Sequence, residues 1–275
     1  MKEQQVGLWA TGDAYERYMG RWSRPVAAGF VAWLGAEPGL RWLDVGCGTG
    51  ALTAAVAARC RPRAVLGVDR SIGFVSSAGT AGAGPPPAPM RFVVGDALAL
   101  PVRDRSCDVA VSGLALNFLP DPAAGVAEAV RAVGPGGTVA AYVWDYSEGM
   151  GFLRCFWDAA AAVDPEASAR DEGDRFPLCR PDPLRALWSG AGLTDVGVAP
   201  IEVTTDFPDF ADLWEPFLAG QGPAPAYVAS LTPTTRARLR ETLERSAPAG
   251  PDGAIAFTAR AWAVRGSRPG PTMAG

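Results

Sequence analysis

The chain predicts an α/β fold in which parallel strands alternate with helices. Three observations carry the prediction. Short apolar runs of strand length recur at 41–45, 64–68, 91–94 and 107–112. Segments of helical character separate them, so the connections read as right-handed βαβ crossovers. A glycine-rich turn, Gly46-Cys47-Gly48-Thr49-Gly50, joins the first run to an alanine-rich helix. At 275 residues the chain is long enough for one large α/β domain or two small ones.

Taken in order, residues 1–12 read as loosely ordered. Asp13 to Leu34 reads as helical, with Tyr15, Tyr18, Met19, Trp22, Val26, Phe30 and Trp33 spaced by about three and four residues. Pro25 is expected to split it into two helices. Strand one covers 41–45 and the first crossover helix 50–60. Strand two is 64–68, and Ser71 caps the helix after it. Residues 79–89 form a Gly/Pro loop without a core-forming pattern. Strand three is 91–94 and strand four 107–112. A helix follows over about 121–132, with Val126, Val130 and Val133 inward. Gly134-Pro135-Gly136-Gly137 stops it, and strand five runs 138–144. A helix at about 182–191 precedes strand six, 194–203. The last strand is 254–264, where Ile255, Phe257, Ala259, Ala261 and Ala263 alternate. Two segments are left over, 145–181 and 206–246, as helical insertions overhanging the carboxyl edge of the sheet, where a lid and substrate pocket belong.

The glycine turn ends a strand and opens a helix, the usual ligand site of an open α/β sheet. Glycine permits positive φ and lets a ligand lie against bare backbone, and the helix start offers unpaired N–H groups. Gly46, Gly48 and Ala51 also fit the dinucleotide fingerprint. Its neighbours favour a different ligand. Asp44, two residues before the first glycine, can face a cation but would repel a pyrophosphate. Asp69 closes strand two, where a carboxylate accepts both ribose hydroxyls. Asp96, after strand three, can accept from an exocyclic adenine amine. Acids at three strand ends, with no basic residue in the turn, suit a cationic adenosyl ligand.

With these residues the chain resembles the class I S-adenosylmethionine-dependent methyltransferases of the small-molecule, UbiE-like type. The matching stretches are LDVGCGTG (43–50), VDRS (68–71), GDALALPVRDRSCDVAVS (95–112), LNFLPDP (116–122) and VGPGG (133–137), in order across 41–144. The resemblance implies a seven-stranded Rossmann-like methyltransferase fold with helical lid insertions, its last two strands an antiparallel pair at one edge. It implies an N-terminal helical cover over 1–40, a methyltransferase domain over 41–266 with lids at about 145–181 and 206–246, and a disordered tail at 267–275. The cofactor is S-adenosyl-L-methionine and the acceptor a small molecule, methylated on oxygen, nitrogen or carbon. A noncatalytic cofactor binder or a cyclase on the same scaffold retains the same turn. An NAD-dependent oxidoreductase is disfavoured by Asp44 and Asp96.

The expected cofactor contacts are Tyr18, Arg21, Asp44, Gly46, Cys47, Gly48, Asp69, Arg70, Asp96, Ala97, Leu98, Ser112 and Asn117. In the resemblance Ala97 and Leu98 line the adenine pocket. Carbonyls at Ser112 and Gly113 accept from the methionyl amine, and Arg21 either pairs with its carboxylate or forms a surface salt bridge. Asn117 and Phe118 occupy positions often held by histidines in related enzymes. The expected acceptor contacts are Tyr15, Phe118, Trp144, Arg175, Trp214, Phe217 and Gln221, with Asp145 or Glu148 as proton acceptor.

Composition narrows the chemistry. There is no histidine, which excludes Ser-His and Cys-His catalysis and removes the commonest metal ligand. Five cysteines are scattered without C-x-x-C pairs, so neither a disulfide framework nor structural zinc is expected. They fit reduced thiols in a cytoplasm. No metal is expected to be required. A net charge of −4 gives no basic field for nucleic acid. No apolar run spans a membrane and no signal peptide is expected. The protein is expected to act as a monomer or homodimer.

Overall fold

Alternating buried runs assemble a seven-stranded sheet in the order β3-β2-β1-β4-β5-β7-β6. The computed structural model describes residues 20–80, 88–219 and 222–270. The strands are β1 Arg41–Val45, β2 Ala64–Asp69, β3 Met90–Val94, β4 Cys107–Gly113, β5 Val133–Trp144, β6 Thr194–Phe207 and β7 Ile255–Ser267. The first five pair in parallel. Arg268, just past β7, exchanges backbone bonds with Gly136 and Gly137 at the start of β5. The end of β7 therefore meets the start of β5, and the two run in opposite directions.

The helices are α1 Arg21–Leu34, α2 Ala51–Arg59, α3 Ile72–Thr80, α4 Pro122–Ala132, α5 Gly151–Val163, α6 Glu172–Arg175, α7 Pro181–Gly190, α8 Phe210–Trp214, α9 Pro223–Ser230 and α10 Pro233–Ser246. The chain divides into two compact units, each formed from separate stretches of sequence. One comprises Ser23–Val143, Leu178–Ile201 and Ala261–Gly275; the other comprises Met1–Trp22, Trp144–Pro177 and Glu202–Arg260.

The first unit holds the parallel strands. Its core is apolar side chains at strand spacing, such as Leu43, Val45, Val109 and Val111, all at most 5% exposed. The four-residue spacing of Val26, Phe30 and Leu34 puts one buried face of α1 in the same core. Phe30 meets Tyr142 of β5 at 4.7 Å between ring centroids. Trp188 of α7 donates its indole N–H to the Val139 carbonyl at 2.9 Å.

Four local expectations are corrected. Pro25 lies inside α1 without splitting it. It sits in the first turns, where its missing N–H forfeits one bond, to the Arg21 carbonyl. Gly134 to Gly137 do not separate helix from strand, because β5 begins at Val133. The Arg268 backbone pairs with that glycine stretch, and its guanidinium caps the carbonyls of Val130, Arg131 and Val133. Arg268 was expected in a disordered tail but is held by these bonds. β6 continues to Phe207, four residues beyond the expected end.

The second unit is largely helical and aromatic. Phe156 of α5 stacks on Phe217 at 4.3 Å and 17°, and Trp157 lies 5.7 Å from Tyr227 of α9. Asp209 caps α8, and Thr232 caps α10 with Pro233 following.

Candidate active site

The glycine turn takes a conformation that most side chains would resist. Gly46, Gly48 and Gly50 have φ of 73°, 52° and 88°, in the left-handed region glycine tolerates. A Cβ on Gly46 would lie 2.5 Å from the Ala115 Cβ, whereas one on Gly48 would meet nothing within 4 Å. Gly46 therefore lets two chain segments approach, and Gly48 presents bare backbone to open space. Such a cradle fits a ligand laid against main chain.

Asp44 lies under this turn rather than in open solvent. It is fully buried, and its Oδ2 accepts from the Thr53 hydroxyl at 2.6 Å. Among the described residues its Oδ1 is buried without a partner. Burial pushes its carboxyl up to about 7; the Thr53 bond opposes the shift and the charge of Asp69 adds to it. Cys47 is buried beside these acids, and burial pushes its thiol up strongly. It stays protonated and is no nucleophile.

Asp69 ends β2 and ties the turn to the second strand. Its Oδ2 accepts from Gly48 N at 3.0 Å and its Oδ1 from Ser71 N at 2.8 Å. Each oxygen keeps a second lone pair, so the carboxylate is aimed by backbone without being saturated. Ser71 Oγ accepts from Phe74 N and caps α3. Asp96 is exposed and its Oδ1 accepts from Leu98 N at 2.9 Å, closing a turn over Ala97. Arg70 is exposed. Ser112 lies near the end of β4, and Asn117 follows in a 3₁₀ turn, Leu116–Phe118, with its Nδ2 buried and unpartnered. Phe118 is 40% exposed.

Of the described residues expected at the acceptor site, all but Phe118 fall in the second unit, and several are committed elsewhere. Asp145 is 2% exposed and takes Arg260 Nε at 2.8 Å, the Ser147 hydroxyl at 2.9 Å and Glu148 N at 3.1 Å. Burial pushes its carboxyl up, but the Arg260 and Ser147 bonds outweigh burial and hold it below the usual range. That corrects the expectation of Asp145 as a base, since an ion-paired carboxylate gives up affinity for a proton. Glu148 is 82% exposed in its side chain and 3.6 Å from Arg260. Arg21 takes the salt-bridge alternative. Its Nη1 grips both oxygens of Asp212, at 3.1 and 2.8 Å, and its guanidinium lies over Trp22 and Phe207. Among the described residues its Nε and Nη2 atoms are buried without acceptors. Trp144, Trp214 and Phe217 are buried, and Phe217 packs face to face on Phe156. Arg175 is exposed. Tyr15, Tyr18 and Gln221 lie outside the described residues.

Thr53 and Ile72 were not singled out as site residues by pattern. Thr53 is one turn into a helix whose alanines gave no polar signal. Ile72 is 73% exposed just after Asp69-Arg70-Ser71; an isoleucine opening a helix without burial was a usable clue. Glu172 is 2% exposed, and the Trp157 indole N–H donates to its Oε2. Burial pushes its carboxyl up to about 7 from 4.5. The folded protein thus holds this proton more tightly than the unfolded chain. Its stabilisation is present below about pH 4.5 and is lost as pH rises through about 7. Over that window, Glu172→Gln should show a shallower fall of melting temperature than wild type. Parallel curves would remove Glu172 from this linkage.

Among the described residues no group of three or more cysteines or acids is placed to hold a metal ion. No helix among them is long and apolar enough to cross a membrane.

An open sheet carrying a glycine cradle and strand-end carboxylates defines a nucleoside-cofactor protein. Comparison with known proteins narrows this. Residues 43–141 match the family described as "Methyltransferase domain". The chain is 34% identical over 127 residues to a demethylmenaquinone methyltransferase of Desulfitobacterium hafniense, covering 44% of this chain and 49% of that one. A demethylmenaquinone methyltransferase of Roseiflexus castenholzii is 31% identical over 169 residues, 57% of this chain and 68% of its own. The fold matches Haemonchus contortus phosphoethanolamine N-methyltransferase 2, in complex with phosphomonomethylethanolamine and S-adenosylhomocysteine. The TM-score there is 0.56 at 17% identity, over 96% of this chain and 57% of that one. The chain belongs to the class I S-adenosylmethionine-dependent methyltransferases. It spans about half the length of the first curated relatives it matches.

Proposed function

We propose that the protein transfers a methyl group from S-adenosylmethionine to a small molecule in a bacterial cytoplasm. The observation that carries this reading is the pairing of the Gly48 backbone with Asp69 in a turn where Gly48 faces open space. In this reading Asp69 takes the ribose hydroxyls with its remaining lone pairs. Asp96 and Leu98 receive the adenine edge, and Ile72 supplies an apolar face. Gly46, Cys47 and Gly48 give backbone to the methionyl part, with carbonyls near Ser112 and the side chain of Asn117. Asp44 lies beneath the turn as a buried carboxyl. When bound, the cofactor supplies an electrophilic methyl on a sulfonium, so the protein's own task is mainly alignment. We propose a small-molecule acceptor, no nucleic-acid partner, and a monomer or homodimer.

Calorimetry with S-adenosylhomocysteine and NAD tests the reading. One equivalent of the adenosyl ligand should bind, with NAD negligible; tighter NAD binding would sink it. Asp69→Ala should weaken the adenosyl ligand by about 1.5–3 kcal/mol, the scale of hydrogen bonds to a charged group. A folded variant with unchanged affinity removes Asp69 from the site.

A further inference from the structure

We propose that the protein carries a second ligand site, for an organic ammonium with a small apolar body, in a groove at the end of the sheet opposite the glycine turn. The site goes beyond methyl transfer and does not depend on it. The groove has a volume of about 510 Å³, and every residue lining it belongs to the first unit. Small-molecule pockets commonly measure about 300–1,000 Å³.

The strands fix its position. Leu40 lies just before β1, Asp108 is the second residue of β4, Gly134 to Thr138 lie at the start of β5, and Asp195 is the second residue of β6. Gly266 and Ser267 end β7, which runs against β5. These are the amino ends of the parallel strands. The glycine turn follows Val45 at the carboxyl end of β1, so a molecule in the groove and a cofactor at the turn lie at opposite ends of one strand. Glycine keeps the groove open. Gly136 has a φ of 77°, and a Cβ there would meet nothing within 4 Å. A Cβ on Gly35 would find only the Trp33 carbonyl oxygen, at 4.0 Å. Leu34 and Val109, 5% and 2% exposed, form the apolar base, and Leu40 and Pro135 extend it toward solvent.

The charged groups decide which ligand suits this space. Three carboxylates line it, Glu37, Asp108 and Asp195, against one guanidinium, Arg265. Arg41 neutralises Asp108, donating through Nε at 3.1 Å and Nη2 at 2.7 Å. Arg265 is committed to the wall. Its Nη1 donates to the Leu34 carbonyl at 3.1 Å, and its guanidinium lies 5.0 Å from the Trp33 ring centroid. Glu37 and Asp195 are exposed, and among the described residues no ion pair holds either; Asp195 accepts from the Thr194 hydroxyl at 3.3 Å. The balance of charge is therefore negative, and a cleft lined by one sign of charge concentrates the opposite ion. An ammonium on a short hydrocarbon body meets both the unpaired carboxylates and the apolar base.

Phenethylamine and 3-phenylpropanoate, similar in size and opposite in charge, test the site by amide NMR titration of the full chain at neutral pH and low salt, with and without S-adenosylhomocysteine. Phenethylamine should bind with a Kd of about 1 mM or tighter. It should shift the amides of Gly136, Gly137 and Asp195 and leave those of Gly46 to Gly50 in place. Its affinity should fall as salt is added and be the same whether or not S-adenosylhomocysteine is present. 3-Phenylpropanoate should leave the groove amides unmoved. The double variant Glu37→Gln, Asp195→Asn keeps the shape of the groove, since both positions are exposed and asparagine tolerates the φ of 52° at 195. It should bind phenethylamine about tenfold more weakly, the scale of two exposed ion pairs lost. Unmoved groove amides in wild type, equal binding of the carboxylate, shifts centred on the glycine turn, or release of the amine by S-adenosylhomocysteine overturns the assignment. So does unchanged affinity in a folded double variant; if the variant does not fold, the two phenyl compounds on wild type decide alone.

Discussion

Arg260→Ala should destabilise the protein by about 3–5 kcal/mol, the cost of stranding one member of a buried ion pair. Arg260 reaches Asp145 through two nitrogens, Nε at 2.8 Å and Nη2 at 2.6 Å. Asp145 is 2% exposed, so water cannot replace the lost cation. The same residues are joined through backbone. Asp145 N donates to the Arg260 carbonyl at 2.9 Å, and Arg260 N to the Gly149 carbonyl at 2.8 Å. Gly149 permits this closeness, since a Cβ there would lie 2.7 Å from the Arg260 Cβ. The segment after β5 is thus latched to β7, and the charge pair is the part a substitution can remove. Urea unfolding at several pH values checks it. The penalty should shrink as pH falls and Asp145 takes up a proton. A loss below about 1 kcal/mol, constant with pH, would place the pair among ordinary surface salt bridges.

Trp214→Ala should cost about 3–5 kcal/mol as well, through a cavity rather than a charge. Trp214 is 6% exposed and Phe217 1%. Phe217 is spent on the Phe156 stack, and Trp214 touches Phe210 and Phe217 at centroid distances of 6.5 and 6.2 Å. These contacts make it a packing residue, so melting temperature, cofactor affinity and turnover should fall together. A variant that melts like wild type but loses acceptor turnover alone would return Trp214 to an acceptor-contact role.

The contrast between the two halves of the candidate machinery has a physical basis. The glycine turn, Asp69 and Asp96 were legible because their work is local. Each needs a particular backbone shape or a carboxylate at the end of a strand, and strand–turn–helix order is written in a few consecutive residues. The acids of the insertions were not legible in the same way. Asp145 and Glu148 were singled out because they follow β5, yet the partner that decides Asp145's chemistry, Arg260, lies 115 positions along the chain.

The sequence by itself determined the α/β class, the order of the strands along the chain, the glycine cradle and the family. These depend on periodicity, on glycine's freedom at positive φ and on motifs read within short windows. Tertiary structure alone decided which carboxyls are charged. Asp44, Asp145 and Glu172 are all buried acids. Asp145 meets a guanidinium and is held low, while Asp44 meets a hydroxyl and Glu172 an indole, and both are pushed up to about 7. Burial raises the proton affinity of any carboxylate, and at Asp145 the guanidinium and the hydrogen bonds brought in by the fold outweigh it.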